Sequence, residues 1–202
     1  MKLYQALLEK LKLQPTTDPA SQVFNPAGAK IGSTVDISFL DYRGKDFKVS
    51  DIQEYSTTID GKEFQQADYV LGYQSPDGKS DKTLKLRVAP DGANFRALVL
   101  ERLDGFEFNQ EFKAVVEDPS LEFIVDGTEK YRRCGDVKIP YRANVKSLVD
   151  KPCAIDFWDY SRTAQVDGTA VEQFVYAEID GSSGWTEIWK GEEVNPESVE
   201  VF

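Results

Sequence analysis

Two carboxylates three residues apart, Asp156 and Asp159, stand in the run DFWDY beside Trp158 and Tyr160. Paired carboxylates with aromatic walls are the equipment of a glycosidase, because apolar surroundings raise one carboxyl pKa and rings bind sugars. On a strand, however, residues three apart point to opposite faces, so the pair converges only across a bulge. Structural roles are the expectation for both, and a carboxylate-dependent hydrolase is the weakest function carried forward. Cys134 follows Arg132 and Arg133, and adjacent cations favour the reactive thiolate. Strand neighbours point away from one another, so Cys134 and Cys153 read as small core residues. Asp77 and Asp81 bracket the turn PDGKSD without the ligand series of a calcium loop. Trp158, Trp185 and Trp189, with Phe157, Tyr160, Phe174 and Tyr176, supply either an enlarged core or an exposed aromatic surface. Trp185 and Trp189 on one strand face, with Glu187 between them, suggest partial exposure.

What is missing narrows the chemistry further. The 202 residues contain no histidine, which removes the usual general base near neutral pH and the usual transition-metal ligand. No phosphate-cradling Gly-rich loop, zinc-type Cys pair or nucleophile elbow occurs. No catalytic residue, cofactor or metal ligand is therefore assigned. With 24 basic and 35 acidic side chains the net charge is −11, the wrong sign for a nucleic-acid partner. Residues 128–151 are basic, 7 against 3, and residues 152–202 acidic, 2 against 11; both read mainly as solvated faces that can pair internally.

These groups must be held by strands. Residues 1–13 read as a short amphipathic helix carrying Leu3, Tyr4, Leu7, Leu8 and Leu11 on one side, and 14–29 as a Pro-containing tether. Beyond residue 30 the dipeptide Asp-Gly occurs seven times, at Asp60, Asp77, Asp91, Asp104, Asp126, Asp167 and Asp180. Asp tolerates the left-handed region and Gly prefers it, so the pair suits hairpin turns. FRALVLERL and FEFNQEFKAVV read as a hairpin across Asp104-Gly105, with the first arm central because it is apolar on both sides. Residues 136–146 alternate, with Tyr141, Ala143 and Val145 against Arg142 and Lys146. An internal duplication is expected from runs about 100 residues apart: GSTVDISF with GDVKIPY, then Asp51–Gly61 with Asp156–Gly168, then ADYVLGY with EQFVYAEI. It sets Tyr55 against Tyr160 and Glu54 against Asp159. The fold class expected is mainly β: two similar antiparallel meander or small-barrel modules, 30–116 and 117–202, behind a short N-terminal amphipathic helix.

The stretches WTEIWKGEEVNPESVEVF, TEKYRRCGDVKIPY and FNPAGAKIGSTVDISFLDYRGKDF resemble parts of bacterial domains often encoded beside PspA-like phage-shock proteins. The resemblance covers about half the chain. It implies an accessory role in a membrane-stress system and carries no catalytic residue. No apolar run approaches the roughly 20 residues of a membrane span, and no secretory leader is evident. The expectation is a cytoplasmic protein, or one peripheral at the inner membrane. The leading function is a non-catalytic binding or assembly protein with a protein partner or self-association. Its candidate surface is Trp158, Tyr160, Trp185, Trp189, Arg132 and Arg133. The alternative is a small-ligand or lipid carrier, a β-barrel whose pocket is lined by Trp158, Phe174 and Trp185. Two separate cores would favour the first and a continuous closed barrel the second.

Overall fold

The structure is a computed structural model that describes residues 29–38, 42, 45–59, 62–74, 81–91, 94–103, 118, 122–126, 128–134, 141–166 and 168–202. The expected helix with Leu3, Tyr4, Leu7, Leu8 and Leu11, the tether to residue 28 and the arm at 106–116 lie outside them. The described residues form twelve antiparallel strands: β1 (Thr34–Ile37), β2 (Asp46–Ile59), β3 (Lys62–Gln74), β4 (Asp81–Asp91), β5 (Asn94–Arg102), β6 (Phe123–Asp126), β7 (Glu129–Arg133), β8 (Tyr141–Ser147), β9 (Cys153–Val166), β10 (Thr169–Asp180), β11 (Thr186–Val194) and β12 (Val199–Val201). A turn of 3-10 helix, Pro196–Ser198, precedes the last. The mainly β expectation is what the chain adopts.

The strands join in one sheet, and eight of them close into a ring in the order β2-β3-β4-β5-β11-β10-β9-β8, with β8 paired to both β9 and β2. The expected meanders are present within it. β1 to β4 lie side by side in chain order, and so do β8 to β11. β1 and β12 extend the sheet beyond one end of β2, and β7 and β6 extend it from β9. Six of the seven Asp-Gly pairs lie at strand junctions. Ile59 pairs with Lys62 across Asp60-Gly61, and Val166 with Thr169 across Asp167-Gly168. Gly168 takes φ +79°, the left-handed conformation such a turn requires.

β5 is central, as its two apolar sides suggest, but its partners are β4 and β11. With both edges occupied over Ala97–Glu101, it has none left for the arm expected across Asp104-Gly105. That hairpin reading is corrected: a long-range pairing with β11 outcompetes the local one.

Alternation gives each ring strand a lumen face and an outward face. The outward side chains of β2 to β5 form one apolar core, including Phe47, Leu71, Leu84, Leu86 and Val99, closed by Val35, Ile37, Val194 and Val199. Those of β9 to β11 form a second, with Trp158, Tyr160, Val175, Ala177 and Ile188 packed against Ile124 and Tyr131 of β6 and β7. Both features meant to separate the two leading functions, two cores and a closed ring, therefore occur together. A bulge at Ser50 reverses the faces of β2, since Val49 pairs with Leu71 and Asp51 with Val70. Phe47 and Val49 thus look outward, and Asp51, Gln53 and Tyr55 look into the lumen. Tyr55 and Tyr160 consequently lie on opposite faces of the ring, as do Glu54, which looks outward, and Asp159, which looks inward. Their expected equivalence does not hold.

Candidate functional site

The lumen is where the chemistry-bearing side chains meet. On β4, Lys85 and Arg87 alternate with Leu84, Leu86 and Val88, which are buried in the first outer core, so both cations are turned inward. Their partners come from other strands. Arg87 donates to Asp68 of β3 through Nε at 2.8 Å and Nη2 at 2.7 Å, and through Nη2 to Glu178 of β10 at 2.6 Å. Lys85 donates to Glu178 at 2.6 Å and to the Tyr55 hydroxyl at 3.1 Å. Aromatic faces complete the cage: Lys85 lies 4.3 Å over Trp189 and Arg87 4.4 Å over Tyr176. β4 is bonded to neither β10 nor β2, so these contacts bridge the lumen from wall to wall.

All four charged groups are at least 93% buried, where an unpaired charge would cost several kcal/mol. Burial pushes the Glu178 carboxyl up, but Lys85 and Arg87 outweigh it and hold the group below its ordinary value. Burial likewise opposes the Arg87 charge, and Asp68 and Glu178 more than restore it. Tyr55 is raised by burial and by the two carboxylates, so it stays a neutral phenol. Two cations face two anions, and the quartet is spent on itself.

Asp159 is the exception. It enters the lumen from β9, its Oδ1 is buried without a hydrogen-bond partner, and burial pushes its carboxyl up to about 6 against the pull of Arg87 and Arg133. Asp156 faces outward instead, where Arg142 of β8 holds it at 2.8 and 3.0 Å. The two carboxylates diverge, as three-residue strand spacing requires, and supply no acid–base pair. Burial raises the thiols of both cysteines. The Cys134 amide bonds to the Asp159 carbonyl, which puts it about 20 Å along β9 from Cys153, too far for a disulfide.

The expected aromatic surface is dispersed. Trp158 and Tyr160 are buried in the second outer core, Trp189 in the lumen, and Arg133 beneath the Tyr160 hydroxyl, to which its Nε donates at 3.2 Å. Only Trp185, in the turn before β11, and Arg132 are exposed. The carrier pocket is not assembled either, because Trp158 looks outward, Phe174 looks inward and Trp185 is in the turn. The basic and acidic stretches do pair internally, through Arg142 with Asp156 and through Glu129 with Arg162 and Lys190.

A cleft of about 500 Å³ lies against β8, lined by Glu54, Tyr55, Ser56, Gln65, Asn144, Val145, Lys146, Pro152, Cys153 and Ala154. Lys146 lies 3.7 Å from Glu54 across it. Among the described residues, no three carboxylate or thiol side chains are placed to hold a metal ion, and no helix is long and apolar enough to cross a membrane. No family model, curated protein or solved structure matches the chain.

The quartet had little local signature. TLKLRV reads as an ordinary half-exposed strand, and Asp68 and Glu178 are single carboxylates in the aromatic runs ADYVLGY and FVYAEI. The only clue was the single acid within each of those two aromatic runs.

Proposed function

We propose that the chain is a non-catalytic binding or assembly protein that works through its outer surface. The observation that carries this reading is the self-neutralised lumen. Lys85, Arg87, Asp68 and Glu178 satisfy one another, so the quartet leaves no free charge for a ligand, and Asp159 stands outside it. The divergence of Asp156 from Asp159 supports a non-enzymatic role. The resemblance to domains encoded beside phage-shock proteins supports an accessory place in a membrane-stress system, in the cytoplasm or peripheral at the inner membrane. A small-ligand carrier is the second reading, favoured by closure of the ring; an apolar ligand there would have to displace a buried ion-pair network.

The test is affinity purification from the source cell with the intact chain and with Asn144→Arg and Lys146→Glu on the outer wall. A stoichiometric protein partner, weakened tenfold or more by a wall substitution that leaves the barrel folded, is the expected result. Turnover in a broad ester, phosphoester and glycoside screen, abolished by Asp159→Asn or Asp156→Asn, would overturn the reading.

A further inference from the structure

One wall of the ring is bare among the described residues. Outward side chains of β3 to β5 and of β9 to β11 lie in the two outer cores. Arg142, Asn144 and Lys146, which look outward from β8, are all exposed, and the 500 Å³ cleft is lined by Asn144 and Lys146.

At the end of that wall, β2 bulges at Ser50, and exposed apolar groups gather around the bulge. The Gly32 amide donates to the Val49 carbonyl at 2.8 Å, and the Leu148 amide to the Ile52 carbonyl at 3.2 Å. Gly32, next to Ile31, and Leu148 therefore flank the bulge on the same edge of β2, their anchor points separated by two residues of the partner strand β3, about 7 Å. Val149 follows Leu148, and Phe202 is bonded through its backbone to Thr34 of β1. Of the seven exposed large hydrophobic residues among those described, Ile31, Leu148, Val149 and Phe202 share this region. Asp51 fixes part of it rigidly, because its carboxylate accepts from the Leu148 and Val149 amides and from the Ser147 hydroxyl. A concentration of exposed apolar side chains on a rigid support marks a contact surface.

We propose that its occupant is the chain's own N-terminal segment, residues 2–13. The sequence expectation for that segment is an apolar stripe, Leu3, Tyr4, Leu7, Leu8 and Leu11, on a helix of a length that does not persist alone in water. It needs an apolar partner, and the bulge is the one at the root of its tether. Ala29 is buried in the first outer core, one residue before the Lys30–Ser33 turn that carries Ile31. Fifteen residues, 14–28, separate the segment from Ala29, enough chain at up to roughly 3.3 Å per residue to bring it back over the bulge. A segment tethered beside its docking surface has an effective concentration in the millimolar range, enough for a marginal apolar contact to hold. The stripe then lies over Ile31, Leu148 and Val149 at the end of the wall, and leaves Asn144 and Lys146 open to a partner. Such docking is a property of the chain alone and holds whether or not a partner protein exists.

Hydrogen–deuterium exchange on the full chain tests it. Amides of residues 3–12 should exchange about tenfold or more slowly than free-peptide rates. The protection should vanish in Leu148→Lys/Val149→Lys and, with the β-body sequence untouched, in Leu7→Lys/Leu11→Lys. β4 and β10 should stay protected in both. Free-peptide rates at 3–12 in the unaltered chain would overturn the proposal. So would protection that survives Leu148→Lys/Val149→Lys, or that rises with protein concentration and so assigns the segment to a second copy.

Discussion

Asp159 and Arg87 sit in the same lumen and have opposite consequences for stability. The Asp159 carboxyl stands at about 6 when folded, against 3.8 ordinarily, so between those values the folded chain binds more protons than the unfolded one. Its contribution to stability therefore falls as pH rises from about 4 to 6, and the cost is complete above that range. Asp159→Asn should stabilise the protein at pH 7.5 by about 1–3 kcal/mol, and the gain should disappear near pH 4 in urea melts at the two pH values. Glu178 has the opposite sign: its carboxyl is held below the ordinary 4.5, so its stabilisation is present above that value and is lost as pH falls below it. Arg87 is the group on which the network depends, because it holds both Asp68 and Glu178. Arg87→Met should cost about 3–5 kcal/mol by leaving buried carboxylates short of a partner, read as a lowered urea midpoint.

At the scale of elements, the seam between β5 and β11 joins the halves of the chain, and it leaves no room for a side chain at Gly191. A Cβ there would lie 1.8 Å from the Val99 carbonyl oxygen. Gly191→Ala should therefore force β11 away from β5 and cost about 3 kcal/mol or more. Gly72→Ala on β3, where nothing lies within 4 Å, should stay within about 0.5 kcal/mol of the parent; thermal melts of the pair check the contrast. The same seam shows what a linear reading can reach. The Asp-Gly turns, the central character of β5 and the alternation of Ala143 and Val145 against Arg142 and Lys146 were legible, because local pattern determines them. The pairing of β5 with β11 and of β2 with β8 was not, since non-local contacts have no local signature. The bulge at Ser50 compounds this: one inserted residue turns Tyr55 inward, so an unbroken alternation assigns the wrong face. Lys85 and Arg87 were hidden for the same reason, their partners lying 19 and 91–93 residues away.

For the whole molecule, the ring inverts the arrangement of a ligand-carrying barrel. Its two larger apolar cores lie outside, against β1, β12, β6 and β7, and its lumen sets an ion-paired quartet between two smaller apolar clusters. On the proposed reading the outer wall serves for contact and the interior holds no ligand. Native mass spectrometry of the purified chain, after incubation with a mixture of phospholipids and fatty acids, tests this most directly. The account predicts the mass of the chain alone, with no retained adduct. A one-to-one lipid or fatty-acid adduct that survives gas-phase activation and protects the amides around Tyr176 and Trp189 from exchange would contradict it.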